Sequence, residues 1–479
     1  MLLLALFRLR NRVIGKLWGR FMAALVEHPG EPDFLRRLML DNPWWEGITD
    51  EMVHNLPVRA FFKRFWNAIE RGDGSKAVLL TGPRGVGKTV MLRQAVSQLL
   101  DGETPRRHVC YVSLEHPLFL ELDISRLPRL LRASRGISAD HPLWLFIDEV
   151  SYQRDWESQI ARLLKADPMV RVVAVSALAP AADNRSHLTT LFLPPFSFAE
   201  YLEQRGIKPA DVLPESPNAT RFTTDVPPGL IELNALFEDY INEGGFHDRD
   251  GEAGAIHRSL HSDLPGLHGI SSPSDLHRLF VLLAYNTGAE FSIETLAREL
   301  DLAKNTLRRY LEYLESAWLV RRLERVDQDA KPFQRAVAFK VHLIHPGLRS
   351  GLIGGRAEGE DTVTRLVETA IQTQFLASST GMESLFYARW GHYEVPFVFL
   401  DRRSGTPLFA YHCLWRDDAI RKPKEVRALV NFKTSHDLPL GAFVLTKAQW
   451  HGGKLGGEPM RFEPASVLAL RIGLEFSQL

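Results

Sequence analysis

The chain has 479 residues, 45% of them hydrophobic and 24% charged, with 58 basic side chains balanced by 58 acidic ones. That length supports several domains with their own cores, and a net charge of zero excludes a chain-wide field for nucleic acid, so any such contact must rest on a local patch. The two cysteines, Cys110 and Cys413, lie far apart inside apolar runs, which argues against a disulfide framework or a zinc site and fits a reducing, cytoplasmic setting.

Residues 1–50 open with a basic, acid-poor segment. Arg8, Arg12, Lys16 and Arg20 recur opposite Leu3, Leu6, Leu9, Val13, Leu17 and Phe21, the pattern of an amphipathic helix. Its charges interrupt every apolar run short of the roughly 20 residues a bilayer needs. The helix is therefore expected to pack on protein first, with a membrane surface or phosphates as the alternative contact. The connector "LDNPWWEGITDEMVHNLPVR" follows, with Trp44 and Trp45 expected to anchor it to the next domain.

From 51 to 206, short apolar runs ("KAVLLTG", "HVCYVSLE", "PLWLFIDE", "VRVVAVSA", "TLFLPP") alternate with amphipathic segments. Such alternation predicts an α/β domain with a mostly parallel sheet covered on both faces. A proline-rich, polar stretch at 207–229 reads as a linker. Residues 230–330 read as helices, with two short ones joined by a turn between 291 and 323. Residues 331–479 read as a helix followed by strands.

Gly82-Pro83-Arg84-Gly85-Val86-Gly87-Lys88-Thr89 fits G-x-x-x-x-G-K-[ST], directly after an apolar strand and directly before a helical pattern that begins at Val90. This is the context in which backbone N–H groups converge on phosphate oxygens at a helix N-terminus. Lys88 is expected to bridge the β- and γ-phosphates of ATP, and Thr89 to bind Mg2+. The run "LWLFIDE" brings Asp148 and Glu149 to the same edge, Asp148 for the magnesium shell and Glu149 as general base for water. Ser176, ending the next strand, stands where a hydroxyl could sense the γ-phosphate, or is an ordinary strand-end serine.

These motifs resemble bacterial and archaeal AAA-superfamily ATPases with a "GPRxVGKT" loop, fused to a winged helix and a restriction-endonuclease-like C-terminal domain of unknown function. The landmarks are "LLTGPRGVGKTVMLRQ", "LFIDEVSYQRDWESQI", "LPPFSFAEYL" and "FEDYINEGGFHD". The resemblance implies a P-loop AAA-type fold and oligomerisation, with sites completed by a neighbour. The family's sensor strand ends in Thr-Gly-Ser, whereas Val175-Ser176-Ala177 keeps only a hydroxyl. Its arginine ahead of "PLSF" falls on His187 here, which leaves Arg185 as the candidate finger.

"FSIETLARELDLAKNTLRRYLEYLESAWLVRRL" has helix-turn-helix spacing, with Leu296, Ala297 and Leu300 facing Leu307, Leu311 and Leu314. The second helix would expose Lys304, Asn305, Arg308 and Arg309, a set suited to DNA, although winged helices also bind proteins. In the C-terminal domain the resemblance places a leading acid at Glu368. The expected Glu-Val-Asp reads Glu394-Val395-Pro396, and the expected Glu-Val-Lys reads Tyr411-His412-Cys413, so the nuclease site is expected to be inactive, with Asp401 the one shifted substitute.

The resulting expectation is an ATPase acting as a nucleotide-controlled switch or remodeller, with DNA or a protein as partner. The alternatives are a DNA-processing motor or nuclease and a non-hydrolysing, ATP-bound signalling scaffold.

Overall fold

The computed structural model describes the chain except for residues 1–28, 49–55, 73, 121, 181–185, 215–225, 227, 247–250, 334–337, 378–383, 417, 419–423 and 479. The basic amphipathic segment and Arg185 lie outside the described residues.

Five apolar runs form a parallel sheet: β1 (Ala77–Thr81), β2 (Val109–Ser113), β3 (Leu143–Asp148), β4 (Val170–Ser176) and β5 (Leu188–Phe192), in the order β2-β3-β4-β1-β5. β1 and β4 are buried along almost their whole length, as strands covered on both faces must be. Because all five run the same way, the carboxyl ends of β1, β3 and β4 open on one edge, where an α/β sheet takes its ligand.

Two helices precede this sheet, α1 (Glu31–Asp41) and α2 (Phe62–Glu70). The connector after α1 is fastened to β2 as expected. Asn42 exchanges hydrogen bonds with the Tyr111 backbone, and the indoles of Trp44 and Trp45 both donate to the Val109 carbonyl, at 3.1 and 2.8 Å. These side chains satisfy backbone groups on an edge strand that would otherwise be open.

Around the sheet run α3 (Lys88–Leu100), α4 (Leu127–Arg135) and α5 (Trp156–Ala166), and α6 (Phe198–Gln204) follows β5 in the chain. α6 starts with a capping box: the Ser197 hydroxyl accepts from the Glu200 N–H, and Glu200 accepts from the Ser197 N–H.

The helical region begins with α7 (Leu230–Glu243). Its Tyr240 hydroxyl donates to the Phe196 carbonyl and accepts from Gln374, while the Phe196 N–H donates to the Gly245 carbonyl. Two of the sequence landmarks therefore meet at one buried tyrosine. α8 (Gly251–Arg258) leads through a π-helical turn, Ser259–Asp263, into α9 (Leu264–His268), and α10 (Pro273–Tyr285) follows.

Next come β6 (Glu290–Ser292), α11 (Ile293–Leu300), α12 (Lys304–Ser316) and the antiparallel pair β7 (Val320–Val326) and β8 (Ala338–Leu343). The six apolar residues expected to pack across the helix turn are all buried. They join the same core cluster as Leu80 and Val86, so the helical region and the parallel-sheet domain share one hydrophobic interior.

The expected boundary at 330/331 falls between β7 and β8, which pair antiparallel in one sheet. The sheet then continues, because β7 pairs in parallel with β9 (Leu385–Trp390).

The full order is β13-β14-β12-β11-β10-β9-β7-β8-β6, with β10 (Tyr393–Leu400), β11 (Pro407–Cys413), β12 (Gly441–Thr446), β13 (His451–Leu455) and β14 (Glu458–Pro464). α13 (Gly347–Ile353), α14 (Glu360–Phe375), α15 (Arg427–Ser435) and α16 (Ala465–Gln478) complete the chain. α16 returns to α6, where a Cβ on Gly473 would lie 3.0 Å from that of Ala199. Among the described residues, no helix is long and apolar enough to cross a membrane.

Candidate nucleotide site

The loop Gly82–Gly87 leaves β1 and feeds α3 at Lys88. Two of its glycines are required by geometry. A Cβ on Gly82 would stand 2.3 Å from the Leu193 carbonyl oxygen, and Gly87 caps the helix with φ at +92°. The loop is braced from outside by Arg59, which donates to the Val86 and Pro194 carbonyls and forms a two-pronged ion pair with Glu200. This one arginine ties the connector, the loop and the cap of α6 together.

Lys88 is buried and folds over its own loop, donating to the carbonyls of Gly82 (3.0 Å) and Pro83 (2.8 Å). Burial, against the pull of Glu149, lowers its ammonium to about 8. The Thr89 hydroxyl donates to Asp148 Oδ1 at 3.2 Å, and the Tyr111 hydroxyl donates to Asp148 Oδ2 at 2.8 Å. Burial, and after it the Glu149 charge, pushes the Asp148 carboxyl up to about 6. A hydroxyl and a carboxylate in contact, both hard oxygens and the latter strained by burial, suit Mg2+.

Glu149 is 3% exposed and has left-handed backbone angles (φ 51°, ψ 51°). Its Oε1 lies 3.0 Å from Arg84 Nη1, and its Oε2 accepts from the Ala177 N–H at 3.2 Å. Arg84 in turn makes a two-pronged pair with Asp263, at 2.8 and 3.0 Å, and donates to the Tyr152 hydroxyl. Burial alone would lower the Arg84 guanidinium, but Glu149 and Asp263 hold it above its ordinary value. Val90, the last residue of the expected loop set, lies in the first turn of α3.

Ser176 is placed beside Thr81 in register but is fully buried, and its hydroxyl donates to the Leu178 carbonyl and accepts from the Leu178 N–H. In this arrangement its hydroxyl is engaged within its own turn. Arg59, Tyr111, Tyr152 and Asp263 were not expected from the sequence. Tyr152 lies inside the landmark "LFIDEVSYQRDWESQI" and Tyr111 inside the run "HVCYVSLE", yet nothing in their spacing, or in that of Arg59 and Asp263, marks a role at the site.

Lys304, Asn305, Arg308 and Arg309 are all exposed on α12, with Lys304 paired to Glu294 at 2.9 Å and Arg308 donating to Asn305. In the C-terminal sheet, Glu368 is buried on α14 and pushed up to about 7 by burial. Glu394 is paired with Lys340 of β8 and stands near Arg389. Pro396 sits where the β9–β10 register shifts, and burial lowers His412 to about 4. Asp401 is half-buried and accepts from the backbone of Arg403 and Ser404, as a turn cap does. Both cysteines are buried and free. Among the described residues, no group of three or more His, Cys, Asp or Glu side chains could hold a metal ion.

Residues 74–202 match the family described as AAA domain, and residues 236–359 match a Domain of unknown function (DUF8612). The second match ends just before α14 and includes β8. An uncharacterized protein of Mycobacterium tuberculosis is 29% identical over 284 residues, covering 58% of this chain and 56% of that protein. One from Methanocaldococcus jannaschii is 25% identical over 273 residues, covering 52% and 56%. The chain thus spans little more than half the length of the curated relatives it matches.

Among solved structures, the Thermotoga maritima RuvB Holliday junction branch migration motor aligns at 18% identity over 58% of this chain and 90% of that one, with a TM-score of 0.25. AMPPCP-bound DnaA from Aquifex aeolicus aligns at 12% identity over 57% and 92%, with a TM-score of 0.24. The chain resembles the AAA-superfamily ATPases through its parallel-sheet domain, and a mixed sheet follows in its C-terminal part.

Proposed function

We propose that the chain is an ATPase that works as a nucleotide-controlled switch, with slow turnover until a partner engages it. The observation that carries this reading is the meeting of the loop, the Thr89–Asp148 pair and Glu149 on one sheet edge. In this reading the backbone of Gly82 to Thr89, with Pro83, Arg84, Gly85, Val86 and Gly87 in the loop, wraps the phosphates, and Val90 continues the helix behind them. Lys88 exchanges its two carbonyl partners for phosphate oxygens. Thr89 and Asp148 hold Mg2+, which would neutralise phosphate charge when bound. Glu149 orients and deprotonates the attacking water once its two present partners release it.

Slow resting turnover follows from the geometry of Glu149, both of whose oxygens are engaged. The exposed Lys304, Asn305, Arg308 and Arg309 form the surface we assign to a DNA partner, within what we read as a winged helix. Assembly into a homo-oligomer would bring a neighbour's arginine to the site, for which Arg185 is our candidate. We read the C-terminal sheet as a binding module with an inactive nuclease site, since Glu394 is committed to Lys340.

The test is steady-state ATP hydrolysis with and without single- and double-stranded DNA, with Lys88→Ala and Glu149→Gln as controls. DNA stimulation that both controls abolish, and that the Arg308→Glu/Arg309→Glu variant loses, supports the DNA-coupled switch. A slow rate indifferent to DNA assigns α12 to a protein partner. Hydrolysis that survives both controls refutes the site.

A further inference from the structure

Arg84 stands inside the phosphate loop, yet its side chain serves residues far from it. Nη1 meets Glu149 at 3.0 Å, and Nε and Nη2 meet Asp263 at 2.8 and 3.0 Å. Nη2 also reaches the Tyr152 hydroxyl at 3.1 Å, and that hydroxyl donates to Asp263 Oδ1 at 2.8 Å. Glu115 stands a further step away at 3.7 Å. Every nitrogen of the fork is used, and Arg84, Glu149 and Asp263 are each less than a tenth exposed.

Two features show that this arrangement is held against local preference. Asp263 ends a π-helical turn, Ser259–Asp263, set between the α-helical α8 and α9. Such turns are rare and re-aim the side chains they carry. Glu149 is a non-glycine residue in the left-handed region, a conformation that costs free energy unless its surroundings over-determine it. Here the surroundings are Arg84 on one oxygen and the Ala177 N–H on the other.

The charges make the arrangement responsive. Arg84 and Lys88 face three carboxylates, Asp148, Glu149 and Asp263, and all of these sense Lys88 or one another. A γ-phosphate arriving beside Lys88 presents a pair of tetrahedral phosphoryl oxygens that a guanidinium fork can bond as it bonds the two oxygens of a carboxylate.

We propose that Asp263 and Tyr152 are positioning residues of the nucleotide site. Acting through Arg84, they hold Glu149 turned away from substrate, so that the γ-phosphate and the Ser259–Asp263 turn compete for one guanidinium. This rests on the ATPase reading above and deepens it: the helical region senses a triphosphate, and not a diphosphate, because only the γ-phosphate can draw Arg84 away. When Arg84 moves, Glu149 loses its Oε1 partner and becomes available to water, and the π-helical turn loses its anchor.

The experiment measures MgATP and MgADP affinity and the hydrolysis rate for the full-length chain. Asp263→Asn keeps the side-chain volume and removes the charge that retains Arg84. It should tighten MgATP about tenfold, leave MgADP unchanged and raise kcat, within the range of ordinary coupling between sites. Tyr152→Phe should move the same quantities in the same direction by less, and it carries the test alone where Asp263→Asn does not fold. In an Arg84→Gln background, Asp263→Asn should no longer change the ATP-to-ADP ratio, which a merely structural role for Asp263 would not produce.

A folded Asp263→Asn or Tyr152→Phe protein with the wild-type ratio of affinities overturns the proposal. So does a change in that ratio that persists without Arg84. Failure of the wild-type chain to bind either nucleotide, or binding indifferent to Lys88→Ala, sinks the ATPase reading instead, and the two failures are separately visible.

Discussion

Asp148 should make the nucleotide-free protein less stable as pH rises, and Asp148→Asn should remove that dependence. The carboxylate is 4% exposed, accepts from Thr89 and Tyr111, and has Glu149 as its chain neighbour. Burial first, and Glu149 second, move it from 3.8 in its ordinary state to about 6 in the fold. The folded chain therefore holds this proton more tightly than the unfolded chain. Its contribution to stability is fully present below the ordinary value of 3.8 and is lost as pH rises through about 6. A shift of that size is worth about 3 kcal/mol. Asparagine cannot ionise and escapes the loss. Urea unfolding in EDTA should show Asp148→Asn to be more stable than wild type by about 3 kcal/mol near neutral pH and above, with the gap closing towards pH 4. Adding MgATP should reverse the order, because only the carboxylate gains from the cation and the ligand stabilises the state that binds it. A gap that stays constant across the acid range would refute the assignment of the cost to Asp148 ionisation.

Other substitutions test the surroundings of the site. Arg59→Ala removes a brace that holds Val86, Pro194 and Glu200 at once, with both ion-pair partners close to nine-tenths buried. It should cost about 3 kcal/mol in thermal or urea unfolding and raise KM for ATP more than it lowers kcat. Lys340→Met leaves Glu394 without its closest cation and should cost about 2 kcal/mol, discounted because Glu394 is partly exposed, whereas Lys340→Met combined with Glu394→Gln should recover most of that loss in a double-mutant cycle.

The parts of the site visible in the sequence are those built from neighbours in the chain. The loop, its lysine and threonine, and the Asp148-Glu149 strand end declare themselves because strand, turn and helix follow one another within a few residues. Tyr152 and Asp263 do not, because they meet Arg84 across 68 and 179 positions, and no periodicity encodes such a meeting. Ser176 ends its strand as read, and its hydroxyl bonds the backbone of Leu178 two residues on, a contact strand reading cannot foresee. The missed strand β8 has a similar cause. Its Lys340 and His342 look like solvent-facing residues but are buried, and the "DQDAKPFQ" before it has the composition of a linker although it lies between paired strands.

The same tertiary contacts bear on how the nucleotide loop could reach the basic surface of α12. The Trp318 indole donates to the Thr81 hydroxyl at the end of β1, its ring lies 4.3 Å from that of Phe192, and the Ala179 N–H donates to the Ser316 carbonyl. Trp318 holds a left-handed backbone (φ 56°) that a bulky residue keeps only where packing fixes it, so this joint transmits displacement better than a loose loop would. α12 has 13 residues and is about 20 Å long, with the joint at its C-terminal end and Lys304, Asn305, Arg308 and Arg309 on its N-terminal half. A rigid rod pinned at one end converts a small shift at the mouth of the phosphate loop into a larger one at the other end. Asp263 is a second contact between the helical region and the site. Two attachments on one shared core join the helical region to the site at two points, which a tether through a single flexible linker would not do.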